Sequence, residues 1–259
     1  MIACYHTHTK RCGHAAGEDE EYVIAAIERG VKLLGFADHA PMIYPNGYKS
    51  TFKMLPEEIG EYFSSLLHLK EKYSDKIEIK IGFETEYYPD LWDTELKFWS
   101  AYPLDYLILG QHFISGELYL PNEKYSGNEN DSCIALSSYT DRVISAMQTG
   151  KISYIAHPDL FNFVGDSDFY RAEARRLITE SNRLSIPLEI NLLGLSESRS
   201  YPKDIFWSEA GALSATAVIG CDAHSPNRVA APEEILMAQR YAEKHGVNLV
   251  ETVNLRPVF

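Results

Sequence analysis

The chain has 259 residues, 45% of them apolar and 24% charged, with a formal net charge of −13. That length admits one large α/β domain or two small ones, and the acidic balance, with no basic stripe, argues against a nucleic-acid surface. No run of eighteen apolar residues occurs, and the N-terminus lacks the basic region and apolar stretch of a signal peptide; no membrane partner is expected, and the expected compartment is the cytoplasm.

Taken in chain order, MIACY (1–5) reads as a buried first strand. It runs into CYHTHTKRCGHAAG (4–17), which holds three of the nine histidines. On an extended segment His6 and His8 point the same way, and His14 needs the loop to fold back. A helix follows, its stripe of Tyr22, Val23, Ala26 and Ile27 ended by Gly30. VKLLGFA (31–37) is the second strand and leads into Asp38 and His39. The non-periodic stretch 40–54 predicts a loop, after which Pro56 opens a helix carrying Ile59, Tyr62, Phe63 and Leu66. IEIKIGF (77–83) is followed by Glu84, and LDYLILG (104–110) by His112. A second loop is expected over 113–132, and a third helix carries Val143, Ile144 and Met147 before Gly150. ISYIA (152–156) runs into His157, and residues 168–184 read as a helix. IPLEINL (186–192) and TAVIG (216–220) are the sixth and seventh strands, the latter ending in CDAH with Asp222 and His224. A helix over 233–245 precedes VNLVETV (247–253), an eighth strand or an edge.

Strands that are apolar throughout, rather than alternating, belong to parallel sheets covered on both faces. With no repeat and no linker-like tract, residues 1–259 read as a single domain, a (β/α) barrel or a closely related closed sheet; an open doubly wound sheet is the rival. In a barrel the carboxyl ends of the strands converge on one face, which gathers seven of the nine histidines. His68 and His245 fall in or at the end of helices and read as structural or surface residues. Neutral imidazoles supply nitrogen ligands, and a carboxylate such as Glu84 can bridge two cations. Nine candidate ligands suit two or three divalent ions. Other signals are weak. No GxGxxG, P-loop or G-x-S-x-G pattern occurs, and Cys4, Cys12, Cys133 and Cys221 form neither a disulfide framework nor a zinc-finger pattern. Cys221 reads as core, and Tyr5, Tyr44, Tyr87 and Tyr88 as candidates either for a pocket lining or for half-buried structural positions.

The ordered series HTH (6–8), His14, DH (38–39), Glu84, QHF (111–113), HPDL (157–160) and DAH (222–224) resembles the PHP superfamily, the polymerase-and-histidinol-phosphatase domains, over nearly the whole chain. HTHTKRCGHAAG, GFADHAPM, LEINLLGL and GCDAHSP resemble its monofunctional histidinol-phosphatase branch. The resemblance implies a distorted seven-stranded (β/α)7 TIM-like barrel with two or three zinc, manganese or iron ions at the carboxyl ends of the strands. It also implies hydrolysis of L-histidinol phosphate in histidine biosynthesis.

Carried over residue by residue, the pattern makes His6, His8, Asp222 and bridging Glu84 ligands of one ion. His112 and His157 join Glu84 at a second, and His14, His39 and His224 hold a third. Asp38 accepts a hydrogen bond from a ligating ring and fixes its orientation. The family's arginine after the glycine of EIN…G is absent: Ser196 stands there, which leaves Arg199 and Arg228 as phosphate candidates. The expected reaction is direct attack on a small phosphomonoester by a metal-bridging hydroxide, with Asp222, His224 and Glu84 at the reacting centre and Asp222, His224 or an ion-bound water helping the leaving group. Glu18, Glu86 and Glu117 are candidates for an ammonium contact. Other phosphoester substrates, C–N hydrolysis, a non-enzymatic metal-binding module and a plain structural barrel are the alternatives; the oligomeric state stays open.

Overall fold

The fold follows from an alternation of short apolar runs with capped amphipathic segments. A computed structural model describes residues 1–117 and 123–259, so part of the loop expected over 113–132 lies outside the described residues. The strands are β1 (Ala3–Cys4), β2 (Leu33–His39), β3 (Glu78–Thr85), β4 (Tyr106–Leu109), β5 (Ile152–Ile155), β6 (Leu188–Asn191), β7 (Thr216–Gly220) and β8 (Asn248–Leu249). Between them lie α1 (Asp19–Glu28), α2 (Ile59–Lys72), α3 (Pro89–Trp99), α4 (Cys133–Gln148), α5 (Ser167–Leu184), α6 (Leu192–Ser196), α7 (Asp204–Ala212) and α8 (Pro232–His245). Helix starts carry local signals: Ser132 accepts from the N–H of Ala135 to open α4, and Asp166 from that of Phe169 to open α5. Gly246, left-handed at φ 68°, ends α8. Among the described residues no helix is long and apolar enough to cross a membrane.

Every strand pairs in parallel with its sequence neighbour, β1 through β8. A doubly wound sheet reverses its strand order and is thereby excluded. The sheet curls, and an isolated parallel bridge between Thr7 and Ala223 ties the chain beyond β1 to the chain beyond β7. Its hydrogen bonds run from His8 N to Ala223 O at 3.0 Å and from Ala223 N to His6 O at 3.3 Å. The possible eighth strand is present, a two-residue partner of β7. Asp38, His39 and Glu84, expected just past strands two and three, lie within β2 and β3 near their carboxyl ends.

Parity along the strands separates the two faces of the sheet. Leu107 and Leu109 of β4, with Ala217 and Ile219 of β7, pack into the large helix–sheet core. Tyr106 and Ile108, with Val218, join a second cluster with Tyr5, Ala37, Tyr154 and Ala156 on the inner face. Tyr106 fills that interior and donates to the Tyr5 carbonyl at 2.5 Å. Gly35 and Gly82 make room for it, since a Cβ at either would come within 2.3 and 2.5 Å of the tyrosine side chain.

On α3, Glu95 is fully buried; one oxygen accepts from the Ile43 N–H at 2.7 Å and the other has no partner among the described residues. Burial pushes this carboxyl up to about 7 from an ordinary value of 4.5. The folded state therefore holds a proton that the unfolded chain releases. The stabilisation is complete below pH 4.5 and lost as pH rises through about 7. Glu95→Gln should melt above the parent at pH 8, with the gap closing at pH 4 in thermal scans. An equal gap at both pH values would contradict this.

Candidate metal centre

The site is assembled where the chain leaves the strands. His6 and His8 follow β1 and are both fully buried. His6 Nδ1 sits 2.7 Å from Glu189 Oε1, and His8 Nδ1 3.4 Å from Asp38 Oδ1. A carboxylate only accepts, so His6 carries a proton on Nδ1, whereas His8 faces a carboxylate from both nitrogens, Asp38 from Nδ1 and Asp222 from Nε2. The two Nε2 atoms are 3.2 Å apart. Two lone pairs at that distance repel unless a positive charge lies between or beside them. Asp38 is itself held, accepting from the backbone N–H groups of Thr9 and His39 at 3.2 and 2.8 Å and from the Thr9 hydroxyl.

Around this pair stand two buried carboxylates. His8 Nε2 is 3.0 Å from Asp222 Oδ1, and His6 Nε2 is 3.6 Å from the same atom. Glu84 reaches across the floor: Oε1 is 2.9 Å from His157 Nε2 and 3.8 Å from His112 Nε2, and Oε2 is 2.9 Å from His39 Nδ1 and 3.6 Å from both His6 and His8. Glu84 Oε2 is buried with no hydrogen-bond partner among the described residues. Further out, the Nε2 atoms of His14 and His224 face each other at 3.0 Å. Ligand atoms of His6, His8 and Asp222, of His39, Glu84 and His112, and of Cys12, His14 and His224 form groups within 4.8 Å. The donor set and the orphaned carboxylate oxygen fit divalent cations.

The electrostatics express the same demand. Burial opposes charging His6 and His8, yet Glu189, Asp222 and Glu84 around His6, and Asp222 and Asp38 around His8, hold both imidazoles well above their usual range. Burial alone would raise Glu84 and Asp222; His39 and His6 hold the first, and His6 and His8 the second, far below it. His112 and His224 are pushed down to about 3 by burial. A proton on His6 and on His8 answers the need that a cation answers, so cation binding releases protons.

Two backbone positions at the site are strained. His157 has φ 29° and Asp222 φ 48°, values that β-carbon-bearing residues adopt only when their surroundings hold them. Glu189 supplies part of that hold: its Oε2 accepts from the His157 N–H and from Asn191 Nδ2, each at 2.9 Å, and Asn191 also reaches Asp222 at 3.1 Å. Two glycines clear the space for the buried acids. A Cβ at Gly110 would lie 1.8 Å from Glu84 Oε1, and one at Gly220 would lie 1.5 Å from Glu189 Oε1.

The cluster opens into a cavity of about 410 Å³ walled by Phe52, Tyr125, Leu193, Glu197, Arg199 and Tyr201. All nine expected ligands converge here; His39 lies 2.9 Å from Glu84 and also groups with His8 and His224 within 4.8 Å. Arg199 lines the cavity, its guanidinium bonded to Glu197 Oε2 at 2.8 and 3.0 Å and to Tyr201 Oη at 3.3 Å. Arg228 is not among the residues that line the cavity; it is bonded to the Ser196 hydroxyl and lies 3.5 Å from Glu234 and 3.7 Å from Glu197.

The candidate ammonium acceptors are engaged elsewhere. Glu86 and Glu117 are buried around Lys53, with Glu117 3.0 Å from its Nζ, and Glu18 pairs with Lys10 on the surface. Tyr5, Tyr44 and Tyr88 lie in apolar clusters, and Tyr87 packs against the main core; none lines the cavity. Sequence reasoning passed over Glu189, whose signal was an acid inside the apolar strand LEIN. It also passed over Gly110 and Gly220, which close two apolar runs.

A sequence profile described as PHP domain matches residues 5–192. Two relatives each named "Probable histidinol-phosphatase" align with the chain. The one from Deinococcus radiodurans is 27% identical over 228 residues, 86% of each chain; the one from Schizosaccharomyces pombe is 24% identical over 267 residues, 93% of this chain and 86% of that one. A histidinol phosphate phosphatase from Lactococcus lactis, solved with zinc, L-histidinol and phosphate, shares the fold at a TM-score of 0.70 with 19% identity, covering 96% of this chain and 95% of that one.

Because Gly110 leaves Glu84 its place, Gly110→Ala should carry less divalent metal per chain than the parent, measured by elemental analysis after reconstitution. Gly60→Ala, on α2 with nothing within 4 Å of the added carbon, should carry as much. Unchanged metal in Gly110→Ala would contradict the role given to Glu84.

Proposed function

The chain belongs to the PHP domain family and is a metal-dependent phosphoesterase of that family; from this premise we propose that it hydrolyses a small phosphomonoester, L-histidinol phosphate in the first place. The observation that carries the reading is the set of facing imidazole lone pairs and buried carboxylates on the floor of a cavity with a guanidinium on its wall. The names of the relatives support the choice of substrate. A cavity of about 410 Å³ with aromatic walls suits a small ester carrying a ring, and the charge of −13 disfavours a polyanion.

In this proposal His6, His8, Asp222 and Glu84 hold one ion, and Glu84 with His39, His112 and His157 a second. His14 and His224 hold a third, and zinc, manganese and iron are the candidates. When bound, the ions supply Lewis acidity: they lower the pKa of water, align phosphate oxygens and neutralise charge on the transferred group. The residues do the rest. Glu189 and Asp38 lock the His6 and His8 tautomers so that lone pairs, not protons, face inward. Arg199 turns from Glu197 to the phosphate oxygens as a charge-assisted clamp, with Arg228 bracing Glu197. His224 donates its Nδ1 proton to the Asp222 carbonyl and presents a bare Nε2, so the leaving alkoxide takes its proton from solvent in the open cavity.

We further read residues 1–259 as one domain whose curled sheet is a distorted (β/α)7 barrel, with β8 added at the edge. Four unpaired cysteines suit a reducing compartment, in keeping with the cytoplasm.

Two measurements check the substrate and the clamp. kcat/KM for L-histidinol phosphate should exceed that for p-nitrophenyl phosphate and mononucleotides by about tenfold or more. Parity with the generic esters would remove the substrate assignment. Arg199→Ala should lower kcat/KM by about 10- to 100-fold, the worth of one charge-assisted hydrogen bond, with metal content unchanged. An unaffected kcat/KM would remove the clamp.

A further inference from the structure

Cys12 stands outside the ligand set of the resemblance, yet the chain directs it into that site. It ends the short 3-10 turn Lys10–Cys12, and Gly13 at φ 79° then reverses the chain so that His14 meets His224. The cysteine is fully buried although Gly13 and His14 beside it are exposed. Its sulfur and one nitrogen each of His14 and His224 lie within 4.8 Å of one another.

The tautomers of the two rings follow from their partners. His14 Nδ1 is 2.9 Å from the Cys12 carbonyl and His224 Nδ1 is 3.0 Å from the Asp222 carbonyl. A carbonyl accepts and never donates, so each ring carries a proton on Nδ1, and in the neutral rings both Nε2 atoms are bare. They face each other at 3.0 Å, a contact that a cation relieves. No carboxylate belongs to this group of three, in contrast to the inner groups built on Asp222 and Glu84. A thiolate would give the outermost cation an anionic ligand of its own.

We propose that Cys12 is a thiolate ligand of the outermost cation, which it would hold together with His14 and His224, two residues that line the cavity. This rests on the metal-dependent reading above. On binding, the thiol proton leaves to solvent and a sulfur–metal bond forms, with no change of oxidation state. Thiolate favours zinc or cobalt over manganese, so the outer position would differ in metal preference from inner positions that include carboxylates. Cys12 also lies near His8 and Asp38. A purely hydrogen-bonding role toward His8 is therefore the competing account.

Cobalt(II) separates the two. The chelated full-length protein is titrated with cobalt(II), and metal uptake and absorption spectra are recorded together. The proposal expects a near-ultraviolet sulfur-to-cobalt charge-transfer band in the parent. Cys133→Ser, which alters an exposed cysteine, should retain it. Cys12→Ser should lack the band and hold less cobalt per chain while keeping the visible bands of the inner ions. The parent spectrum is informative even if the variant folds poorly. Full uptake without the band in the parent, or a band that persists in Cys12→Ser, overturns the thiolate ligand and leaves the metalloenzyme reading intact. No cobalt uptake at all overturns both.

Discussion

Everything at the carboxyl end of this sheet depends on one electrostatic constraint: ring nitrogens and carboxylate oxygens, most of them buried, are aimed at one another. The Nε2 atoms of His6 and His8 meet at 3.2 Å, and those of His14 and His224, nearer the surface, at 3.0 Å. Glu84 and Asp222 add anionic oxygens to the same small volume. A buried polar group without a partner is costly, and several facing each other are more so. Such a cluster is consistent with a folded protein only where positive charge is supplied, by protons or by metal ions. The raised imidazoles of His6 and His8 and the lowered carboxyls of Glu84 and Asp222 are the proton-based answer.

The surrounding fold can be understood as a means of holding that arrangement. Parallel pairing in strict sequence order brings the ends of β1 to β7 together, and the Thr7–Ala223 bridge draws the first and seventh close. Gly110 and Gly220 are empty where a side chain would displace Glu84 or Glu189. Glu189 reaches both His6 and the strained backbone of His157, so one side chain sets a tautomer and stabilises an unusual φ. On the other flank, buried Lys53 neutralises Glu86, whose second oxygen accepts from the backbone N–H groups of His112 and Phe113 at 2.8 and 3.0 Å. The ligands are thus positioned by a shell of buried charges that never reaches the cavity.

Much of this is legible in the sequence. The apolar strand runs and the residues that end them pointed to the parallel sheet and gathered the nine expected ligands, because position at a strand end is a local property that convergence makes global. What escaped was decided by long-range packing. That β2 and β3 extend through His39 and Glu84 depends on pairing with their neighbours, not on the apolarity of their own residues. Glu86 and Glu117 look like free acids in sequence because their counter-ion, Lys53, lies in a loop with no periodicity to mark it. Arg199 and Arg228 are equivalent candidates in sequence, and only packing shows that Arg199 is the one that lines the cavity. Cys12 looked like a scattered thiol because its neighbour His224 is far away in the chain. Helix α3, with Leu91, Trp92 and Trp99 buried, was passed over although Pro89 marks its start.

The central claim is that the cluster exists to hold divalent cations. The most direct measurement is an anomalous difference map from crystals of zinc-reconstituted protein, recorded on either side of the zinc edge. The account predicts at least two peaks close together among His6, His8, Glu84, His112, His157 and Asp222. A map with no peak inside that cluster, from protein shown to be folded and zinc-saturated in its buffer, would contradict it.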